Sequence, residues 1–511
     1  MIEMKKIILL MFLLLLSSQL AKAQNPNPDL KIGKPVRSSI RLNEQHVYRI
    51  AMANKQFALL NLKQQGIDLK IETFAPDGFW LEEFDSPNNE DGNELILIDA
   101  NREGSFEIRV SPLAEEKKIK SGDYEIELIG IHSSIETHLT EVLKKLNSRG
   151  HIPGFALSVV NAKKVLYQNA MGLADVRKEL PYSIETVHNI ASISKTFIGL
   201  SIMKLVEQGK LTLDTSINDL LPFKITNPYY PKKDITLRHL ATHTATINEQ
   251  GFYHKAYILL DEEALDKYEY HKHFLKELNM AKKNQRRSLP EFLKAHLSPE
   301  GEHYRKKNFF KKEPGQNWYY SNVGAALAAY IVEQVSGEDY KVFVRKHIID
   351  PLELESAAWK DEIDDRLTKA TQYDSKGNPL PDRTIITYAD GGMHINVSDL
   401  SKYLMQFIKG NAGEDGILSS ASMKELMKVQ HEQIEGRFKG RRDGLFWEYS
   451  SSGVMGHSGG DYGVSAFMYF DPVTNLGYTY VCNIMPTESD YSNAQSRSTW
   501  AVLKRYARYF E

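Results

Sequence analysis

A serine and a lysine lie three residues apart in the sequence SISK, at Ser192 and Lys195, where an apolar stretch begins. In a helix that starts at Ser192, both side chains share one face, with Cβ atoms about 5–6 Å apart. A lysine buried beside other cations or polar groups can lose its proton near neutral pH and accept the serine's proton. Free amide groups at a helix start can also stabilise a developing oxyanion. The pair is therefore a candidate nucleophile with its base, and the alternative is a capping or surface hydroxyl near an ordinary lysine.

The same stretch holds a second serine–lysine pair with identical spacing, Ser201 and Lys204. About two such pairs are expected by chance in a chain of this length. The second pair falls in mid-helix, where no free amide groups are available, so we interpret it as the chance match. Ser194 immediately precedes the lysine and points away from it. Apolar residues at helical spacing predict one helix across both pairs, with Gly209 as its stop: Phe197, Ile198, Ile202, Leu205 and Val206.

A tyrosine and an asparagine stand directly before another apolar helical stretch, in YYSNVGAALAAYIVEQVSG. Tyr320 at such a junction can accept or donate a proton when neighbouring cations lower its pKa. The alternative for Tyr320 is a packed aromatic side chain. Asn322 lies two residues further on, so the YSN group adds a candidate for proton transfer and a polar side chain to the serine and lysine.

A third group, MGHSGGDYG, brings His457 together with Gly459 and Gly460 just before a predicted strand at Val464–Phe470. Small residues allow the backbone of a substrate to approach closely, and the histidine supplies a polar group that is cationic when protonated. The alternative is an ordinary glycine turn. The separations between the three groups are 128 residues (192 to 320) and 137 residues (320 to 457).

In this order, SISK, YSN and HSG resemble the motifs of the penicillin-recognising serine hydrolases, which include class C beta-lactamases, D-alanyl-D-alanine carboxypeptidases, D-aminopeptidases and related esterases. Three ordered motifs are far more specific than one. The resemblance extends over residues 135–508, with further matches at TLRHLATHT (236–244), GGMHINVSDLSKYL (391–404) and FMYFDPVTNLGYTYVCN (467–483). It implies an α/β (α+β) fold of beta-lactamase type over residues 132–511, with a mixed sheet flanked by helices.

The resemblance also implies roles for the first two motifs. Ser192 attacks a carbonyl carbon and forms an acyl-enzyme, and Lys195 assists in removing the serine's proton. Tyr320 carries the proton to the leaving group and later helps to activate the deacylating water. Asn322 hydrogen-bonds the substrate amide or the lysine. The implied partner is a small-molecule, peptide or ester substrate, with cell-wall fragments among the candidates.

For the third motif, the resemblance implies substrate binding and oxyanion stabilisation. The amide groups of Ser192 and Gly460 match the family's oxyanion hole, with Gly459 beside them. His457 stands where many beta-lactamases carry the lysine of a KTG motif, and it anchors a carboxylate more weakly at neutral pH. We therefore expect a peptidase- or esterase-like hydrolase. The alternatives are a true class C-like beta-lactamase and a non-catalytic, penicillin-binding-like sensor or wall-binding protein.

The segment after THT departs from the family. Ala245-Thr246 replaces the Ser-Gly of many relatives, and residues 247–313 form a long polar connection that we interpret as an insertion or lid. These residues flank the cleft in the family, so the size and identity of the substrate are left open. His271 and His273 have no third ligand at a suitable spacing, so we expect no metal and no cofactor.

These motifs need a scaffold, and the surrounding pattern predicts one. Strands are expected at Phe155–Val160, Lys164–Asn169, Val464–Phe470 and Gly477–Asn483. Because helices fill the chain between the early and late strands, we expect one sheet assembled from both ends of the domain. A helical segment ending at Gly150 precedes this domain's strands, and a final helix begins near Asn493.

The sequence pattern of residues 24–131 differs from that of residues 132–511 and predicts a small accessory β-sandwich. Apolar and charged residues alternate in FEIRV and YEIEL, and turn signals such as Pro76-Asp77-Gly78 separate the runs. The stretch IDLKIETFAPDGFWL resembles the bacterial pre-peptidase C-terminal type of sandwich. We expect this domain to serve docking or stability, because it contains no catalytic motif.

The N-terminal residues and the composition bear on location and partners. A basic start, ten apolar residues and Ala-Lys-Ala predict a signal peptide over residues 1–23. Ten apolar residues fall short of the roughly 20 that span a bilayer, so we expect no stable membrane span after cleavage. We expect export to the periplasm, or secretion beyond it.

Charge and cysteine content narrow the class of protein further. The 511 residues carry 64 basic and 66 acidic side chains, and this balance argues against a nucleic-acid partner. Cys482 is the only cysteine, so no internal disulfide can form, and its apolar surroundings predict a buried strand residue. The sequence does not specify an oligomeric state.

Overall fold

The computed structural model describes residues 29–85, 91–113, 121–270, 272–431, 440, 442–485 and 491–510. The chain divides into two compact units, residues 1–142 and 143–511. The expected signal peptide at 1–23 lies outside the described residues, and the domain boundary at 131/132 stays a prediction. Over the described parts of the chain, we find no helix with the length and apolar character needed to cross a bilayer.

The first unit is all-β over its described length, apart from a helix at its end. Its strands form two four-stranded antiparallel sheets, in the orders β1-β8-β3-β6 and β2-β7-β4-β5. The predicted alternation holds, because every second side chain of FEIRV and YEIEL is buried in the core of this unit. The strands are β1 (Val36–Arg41), β2 (His46–Met52), β3 (Phe57–Gln65), β4 (Leu69–Phe74), β5 (Trp80–Phe84), β6 (Asp91–Asp99), β7 (Gly104–Pro112) and β8 (Ser121–His132).

The second unit is organised around an eight-stranded sheet in the order β11-β10-β9-β21-β20-β19-β18-β17. Early and late strands meet where β9 pairs with β21, so the predicted assembly from both ends of the domain is confirmed. Each described pair in this sheet is antiparallel rather than mixed, since hairpins join most neighbours. Its strands and those of two small sheets are β9 (Gly154–Val160), β10 (Val165–Asp175), β11 (Leu180–Pro181), β12 (His188–Asn189), β13 (Tyr257–Leu259), β14 (Ala358–Trp359), β15 (Arg383–Ile385), β16 (Met393–Ile395), β17 (Asp443–Gly444), β18 (Trp447–Tyr449), β19 (Met455–Asp461), β20 (Val464–Asp471) and β21 (Leu476–Cys482).

Helices cover this sheet, as predicted for an α/β (α+β) domain with a sheet flanked by helices. Helix α8 packs on β9 and β21, and α2 packs on α6. Cys482 is buried in β21, as predicted. The helices are α1 (Ile135–Asn147), α2 (Ser194–Glu207), α3 (Leu237–Ala241), α4 (Lys272–Ala281), α5 (Leu289–Leu297), α6 (Asn322–Ser336), α7 (Tyr340–Val344), α8 (Val397–Asn411), α9 (Ser420–Met427) and α10 (Tyr491–Ala507).

Helix α2 is the central helix of the second unit. Most of its residues are buried, including polar ones in its first turn, because apolar side chains occur on all its faces. A 3-10 turn at Ala191–Ile193 precedes it, so the regular helix starts two residues later than the predicted start at Ser192. Gly209 follows with φ +67°, the left-handed conformation of a helix stop, as predicted.

Candidate functional site

Ser192 lies in the strained 3-10 turn that leads into α2. Ala191, directly before it, has φ +45°, which is unusual for a residue with a side chain. The Asn189 side chain stabilises this turn: its Oδ1 accepts the Ala191 amide at 2.8 Å, and its Nδ2 donates to the Gly391 carbonyl at 2.9 Å. Ser192 itself is half-buried, and the backbone before it is held by the Asn189 side chain.

Lys195 is completely buried and reaches back to the serine. Its Nζ donates to Ser192 Oγ at 3.1 Å, to Asn322 Oδ1 at 2.8 Å and to the Asp390 carbonyl oxygen at 2.7 Å. Ser194, as predicted, points elsewhere: its hydroxyl donates to the Ala191 carbonyl at 2.6 Å. The structure therefore joins Ser192, Lys195 and Asn322 in one hydrogen-bonded group.

Burial sets the direction of the lysine's titration. Removing the ammonium group from water lowers the pKa of Lys195, while the nearby carboxylates of Asp390, Glu249 and Glu448 act in the opposite direction. The surroundings of the lysine are thus acidic rather than cationic, and desolvation favours its neutral form.

A buried carboxylate fixes the start of α6, which carries the YSN motif. The Glu249 side chain accepts four hydrogen bonds at 2.7–2.9 Å: from Ser321 Oγ, from the amides of Asn322 and Val323, and from Asn322 Nδ2. Negative charge at a helix N-terminus is favourable, because the leading amide groups lack acceptors within the helix. Since Nδ2 of Asn322 is bound to Glu249, its Oδ1 is turned to Lys195.

Tyr320 lies against the serine and lysine. Lys195 Nζ is 5.1 Å from the centre of its ring, and the His243 ring lies tilted by 34° with its centre 4.5 Å away. Burial raises the pKa of Tyr320 well above its usual value, and its hydrogen bond to Ser192 works against this rise. This direction is the opposite of the lowering that neighbouring cations would cause, so burial favours the protonated phenol of Tyr320.

The HSG motif lies within strand β19, not in a turn, and runs beside the serine's turn. A Cβ on Gly459 would collide with the Ile190 carbonyl oxygen, so only glycine lets the strand pass this close. Gly460, the next residue, is exposed, and a Cβ there would have Met485 Cε at 4.0 Å as its nearest neighbour. Close packing at the first glycine brings β19 against the serine's turn, and the next residue of the strand is exposed.

His457 is buried at the inner end of this motif. Its Nδ1 donates to the Ser458 carbonyl at 2.6 Å, and its Nε2 lies 3.8 Å from a carboxylate oxygen of Glu448. Burial lowers the pKa of His457, while Glu448 works in the opposite direction. A neutral imidazole with its proton on Nδ1 leaves Nε2 as an acceptor.

Three buried or half-buried acids of the site were missed in the sequence: Glu249, Asp390 and Glu448. Asp390 is 1% exposed, accepts a hydrogen bond from the Tyr253 hydroxyl at 3.0 Å, and burial raises its pKa to about 7. Its position directly before the Gly391-Gly392 pair was a usable signal. Glu249 lies among many acids of the polar 247–313 segment and has no periodicity to mark it.

The histidines at 271 and 273 bear on metal binding. His271 lies outside the described residues, as does the side chain of His273. Across the described ranges, no group of three or more histidine, cysteine, aspartate or glutamate side chains is arranged to hold a metal ion. The expectation of a site without metal or cofactor stays a prediction.

The protein is similar in sequence to known bacterial proteins, one of which is a penicillin-binding protein. Protein flp of Staphylococcus aureus (strain MW2) is 24% identical over 340 residues, covering 66% of this chain and 60% of that protein. A penicillin-binding protein of Bacillus subtilis (strain 168) is 25% identical over 221 residues, covering 42% of this chain and 39% of that protein. The matched part of this chain thus spans 60% of the length of the first relative.

Structural similarity and the family model point the same way. The octameric penicillin-binding protein homologue from Pyrococcus abyssi superposes with a TM-score of 0.55 at 25% identity, covering 72% of this chain and 77% of that chain. The family model described as Beta-lactamase matches residues 139–498, which include all three motifs. The chain belongs to the beta-lactamase family, the penicillin-recognising serine hydrolases that its motifs resemble.

Proposed function

We propose that the protein is a serine hydrolase that cleaves an amide or ester bond through an acyl-serine intermediate. One observation carries this proposal: the Nζ of a fully buried lysine, Lys195, lies 3.1 Å from the hydroxyl oxygen of a half-buried serine, Ser192. The serine is accessible to a substrate, and its base is shielded from water. These are the conditions for an activated nucleophile.

The donors and acceptors around Lys195 support a base rather than a permanent cation. When Lys195 is protonated, its three N–H groups have one partner each, and the same three partners also fit a neutral amine. The oxygens of Asn322 and Asp390 can only accept, so a neutral amine keeps its two N–H groups for them. Its lone pair then faces Ser192 Oγ, the one partner with a proton to give. Loss of one proton therefore turns the same geometry into a base that receives the serine's proton.

Tyr320 completes the proton path. Its raised pKa keeps the phenol protonated near neutral pH, and it hydrogen-bonds Ser192. The hydroxyl can give its proton to the departing nitrogen or oxygen while a proton returns from Lys195. The reverse movement then activates the water that releases the acyl group from Ser192.

The oxyanion formed during attack lies between the serine's turn and the edge of β19. We assign its stabilisation to the amides of Ser192 and Gly460, because Gly459 brings the two segments into contact. His457 is neutral in this assignment, since burial lowers its pKa. A neutral histidine holds a substrate carboxylate weakly, and this favours peptidase- or esterase-like substrates over rapid beta-lactam hydrolysis.

Intact-protein mass spectrometry tests this proposal. The mature chain is exposed briefly to 4-nitrophenyl acetate and, separately, to benzylpenicillin, with Ser192→Ala and Ser201→Ala variants alongside. We expect a mass gain with the ester in the wild type and in Ser201→Ala, and none in Ser192→Ala. Rapid multiple turnover of benzylpenicillin would instead identify a true beta-lactamase. If neither reagent labels the wild type, the hydrolase proposal is wrong and the fold is one kept for sensing or wall binding.

The export of the protein is a separate proposal that rests on residues 1–23. The predicted cleavage after Ala23 leaves a mature chain that begins at Gln24. N-terminal sequencing of protein recovered from the periplasmic fraction and from the medium tests it. An intact Met1 in the purified cellular protein would contradict both cleavage and export.

A further inference from the structure

A cavity of about 430 Å³ opens beside Tyr320, within the size range of small-molecule sites. We call it the aromatic pocket, because rings form much of its wall: Tyr253, Tyr257, Phe274 and Tyr462, with Leu278 between them. Phe274 and Leu278 belong to helix α4, so the polar segment 247–313 supplies one side of the pocket. The segment that departs from the family thus lines a space next to the reacting groups.

The rings of the pocket are held in place by contacts with one another and with a guanidinium group. The Phe274 and Tyr462 rings lie 4.1 Å apart, and Tyr253 meets Tyr257 edge-to-face at 5.7 Å. The Arg383 guanidinium lies 5.5–5.7 Å from the ring centres of Tyr257, Phe274 and Tyr462. Such cation–π contacts fix the rings at little entropic cost to a ligand.

The charged groups of the pocket already have partners. Arg383 Nη2 lies 3.3 Å from Asp461 Oδ2 and donates to the Tyr462 carbonyl at 2.8 Å. The Glu249 carboxylate is occupied by its four hydrogen bonds at the start of α6. The Tyr253 hydroxyl donates to Asp390. Because these charges are neutralised within the wall, the ring faces and Leu278 make up much of what the pocket offers to a ligand, and Glu277 and His254 also line it.

The pocket lies on the acyl side of the reacting centre. Asp461 and Tyr462 line it, and they directly follow Gly460, the residue assigned to the oxyanion. Glu249 also lines it and holds Asn322, the side chain assigned to the substrate amide. His457, where the leaving group's carboxylate would be anchored, is not part of its lining. A substrate bound between Gly460 and Asn322 therefore directs its acyl group into this space.

We propose that the aromatic pocket binds an uncharged, single-ring aromatic acyl group, so that the enzyme prefers arylacetyl esters or amides to acetyl ones. This inference rests on the proposed acyl-serine function and adds the substrate class. Stacking on fixed rings favours a flat group, and a charged acyl group would find no free counter-ion among the pocket groups described above.

The test varies the acyl group and keeps the leaving group constant. Values of kcat/KM are measured for 4-nitrophenyl acetate, phenylacetate and succinate, each divided by its hydroxide-catalysed rate. We expect phenylacetate to exceed acetate by about tenfold or more in the wild type, and succinate to fall below phenylacetate. Phe274→Ala removes a stacking ring and Ala281→Leu fills the space, so both variants are expected to abolish most of the preference while acetate is still turned over.

Leu275→Ala provides the matched control. Leu275 lies next to Phe274 on α4 but is 36% exposed and does not line the pocket. It should keep the wild-type ratio of phenylacetate to acetate. If Phe274→Ala fails to fold, Ala281→Leu decides the question alone.

The two proposals fail in different ways. If the acyl-serine function is wrong, the wild type gives no nitrophenolate burst from any ester and no mass gain that depends on Ser192. If only the pocket assignment is wrong, acetate is turned over but the wild-type ratio is near one. A preference for phenylacetate that survives in both pocket variants would also overturn it.

Discussion

Helix α2 and the 3-10 turn before it carry two serine–lysine pairs with the same spacing and opposite surroundings. In the first pair, Ser192 is half-buried and Lys195 is completely buried. In the second pair, Ser201 is completely buried and Lys204 is half-buried. Ser201 donates its hydroxyl to the Phe197 carbonyl at 2.8 Å, within its own helix. A nucleophile needs the first arrangement, because the substrate must reach the serine while water is kept from the base.

The comparison shows that the three-residue spacing brings a serine and a lysine onto one helix face and does no more than that. What distinguishes the first pair is the part of the fold around it: Asn322 from α6 and the Asp390 carbonyl take two N–H groups of its lysine. A lysine with those two partners has a single direction left, toward Ser192. The surroundings therefore supply the chemistry that the motif alone does not.

Removing each serine hydroxyl in turn should give the largest difference in activity between the two pairs. Ser192→Ala should lower kcat/KM for an activated ester by about 10,000-fold or more, as the loss of a nucleophile does. Ser201→Ala should change it by less than about twofold, because that hydroxyl donates to a carbonyl of its own helix. Steady-state kinetics with both purified variants checks this. Comparable losses in the two variants would show that the hydroxyls act through stability.

The two lysines allow the same comparison at the base. Lys195→Met keeps the length of the side chain and removes the proton acceptor, so kcat should fall by about 100- to 10,000-fold. Lys204→Met should leave kcat unchanged. Single-turnover acylation rates for both variants, with melting temperatures as the control for folding, are the measurement. Wild-type acylation by Lys195→Met would rule out the lysine as base.

Sequence patterns predicted the fold well where a single period governs a segment. The strands that end at Val160 and begin at Val464 appear within a residue of their predicted limits, because alternation or a fully apolar run defines them. The start of α2 was placed at Ser192, two residues early. The 3-10 turn before it depends on the left-handed backbone of Ala191 and on the hydrogen bond that Asn189 Oδ1 accepts from the Ala191 amide. No local sequence pattern predicts either feature.

The acidic side chains around the site could not be predicted from sequence motifs. Ser192, Lys195, Tyr320 and Asn322 were identified because a motif fixes their spacing. Glu249 was not, because it reaches the start of α6 from a segment about 70 residues earlier in the chain. Contacts of that range follow from the fold, so neither composition nor periodicity in 247–313 points to one particular carboxylate.

Two adjacent glycines, Gly459 and Gly460, differ in how closely they are packed against the serine's turn. Substitutions there should affect stability, and by less than the losses of activity above. Gly459→Ala should lower the free energy of unfolding by about 1–3 kcal/mol, because its Cβ meets the Ile190 carbonyl oxygen beside the serine's turn. Gly460→Ala faces open space and should change stability by less than about 0.5 kcal/mol. Chemical denaturation of both variants provides the values. Equal stability of the two would mean that β19 does not press on the turn that holds Ser192.

A change of charge beside Lys195 should have the smallest effect, a shift in pH dependence. The reactive form of Lys195 is neutral, so kcat/KM falls on the acidic side as the lysine gains a proton. The Asp390 carboxylate raises the pKa of Lys195, and Asp390 is itself charged above its own pKa of about 7. Asp390→Asn removes that charge, so the pKa of Lys195 falls. The acidic limb of the pH profile of kcat/KM should then move to lower pH by about one unit.

The direction of this shift separates two roles for Asp390. Asp364→Asn makes the same chemical change at an exposed aspartate paired with Arg366, and it should leave the limb in place. If Asp390 only supported the backbone oxygen that binds Lys195, the Asn variant would lose activity without moving the limb. If the lysine were active when protonated, its titration would form the alkaline limb, and that limb rather than the acidic one would move to lower pH. A shift of the acidic limb to lower pH shows that the environment around the first pair, and not its spacing, sets the charge of the base.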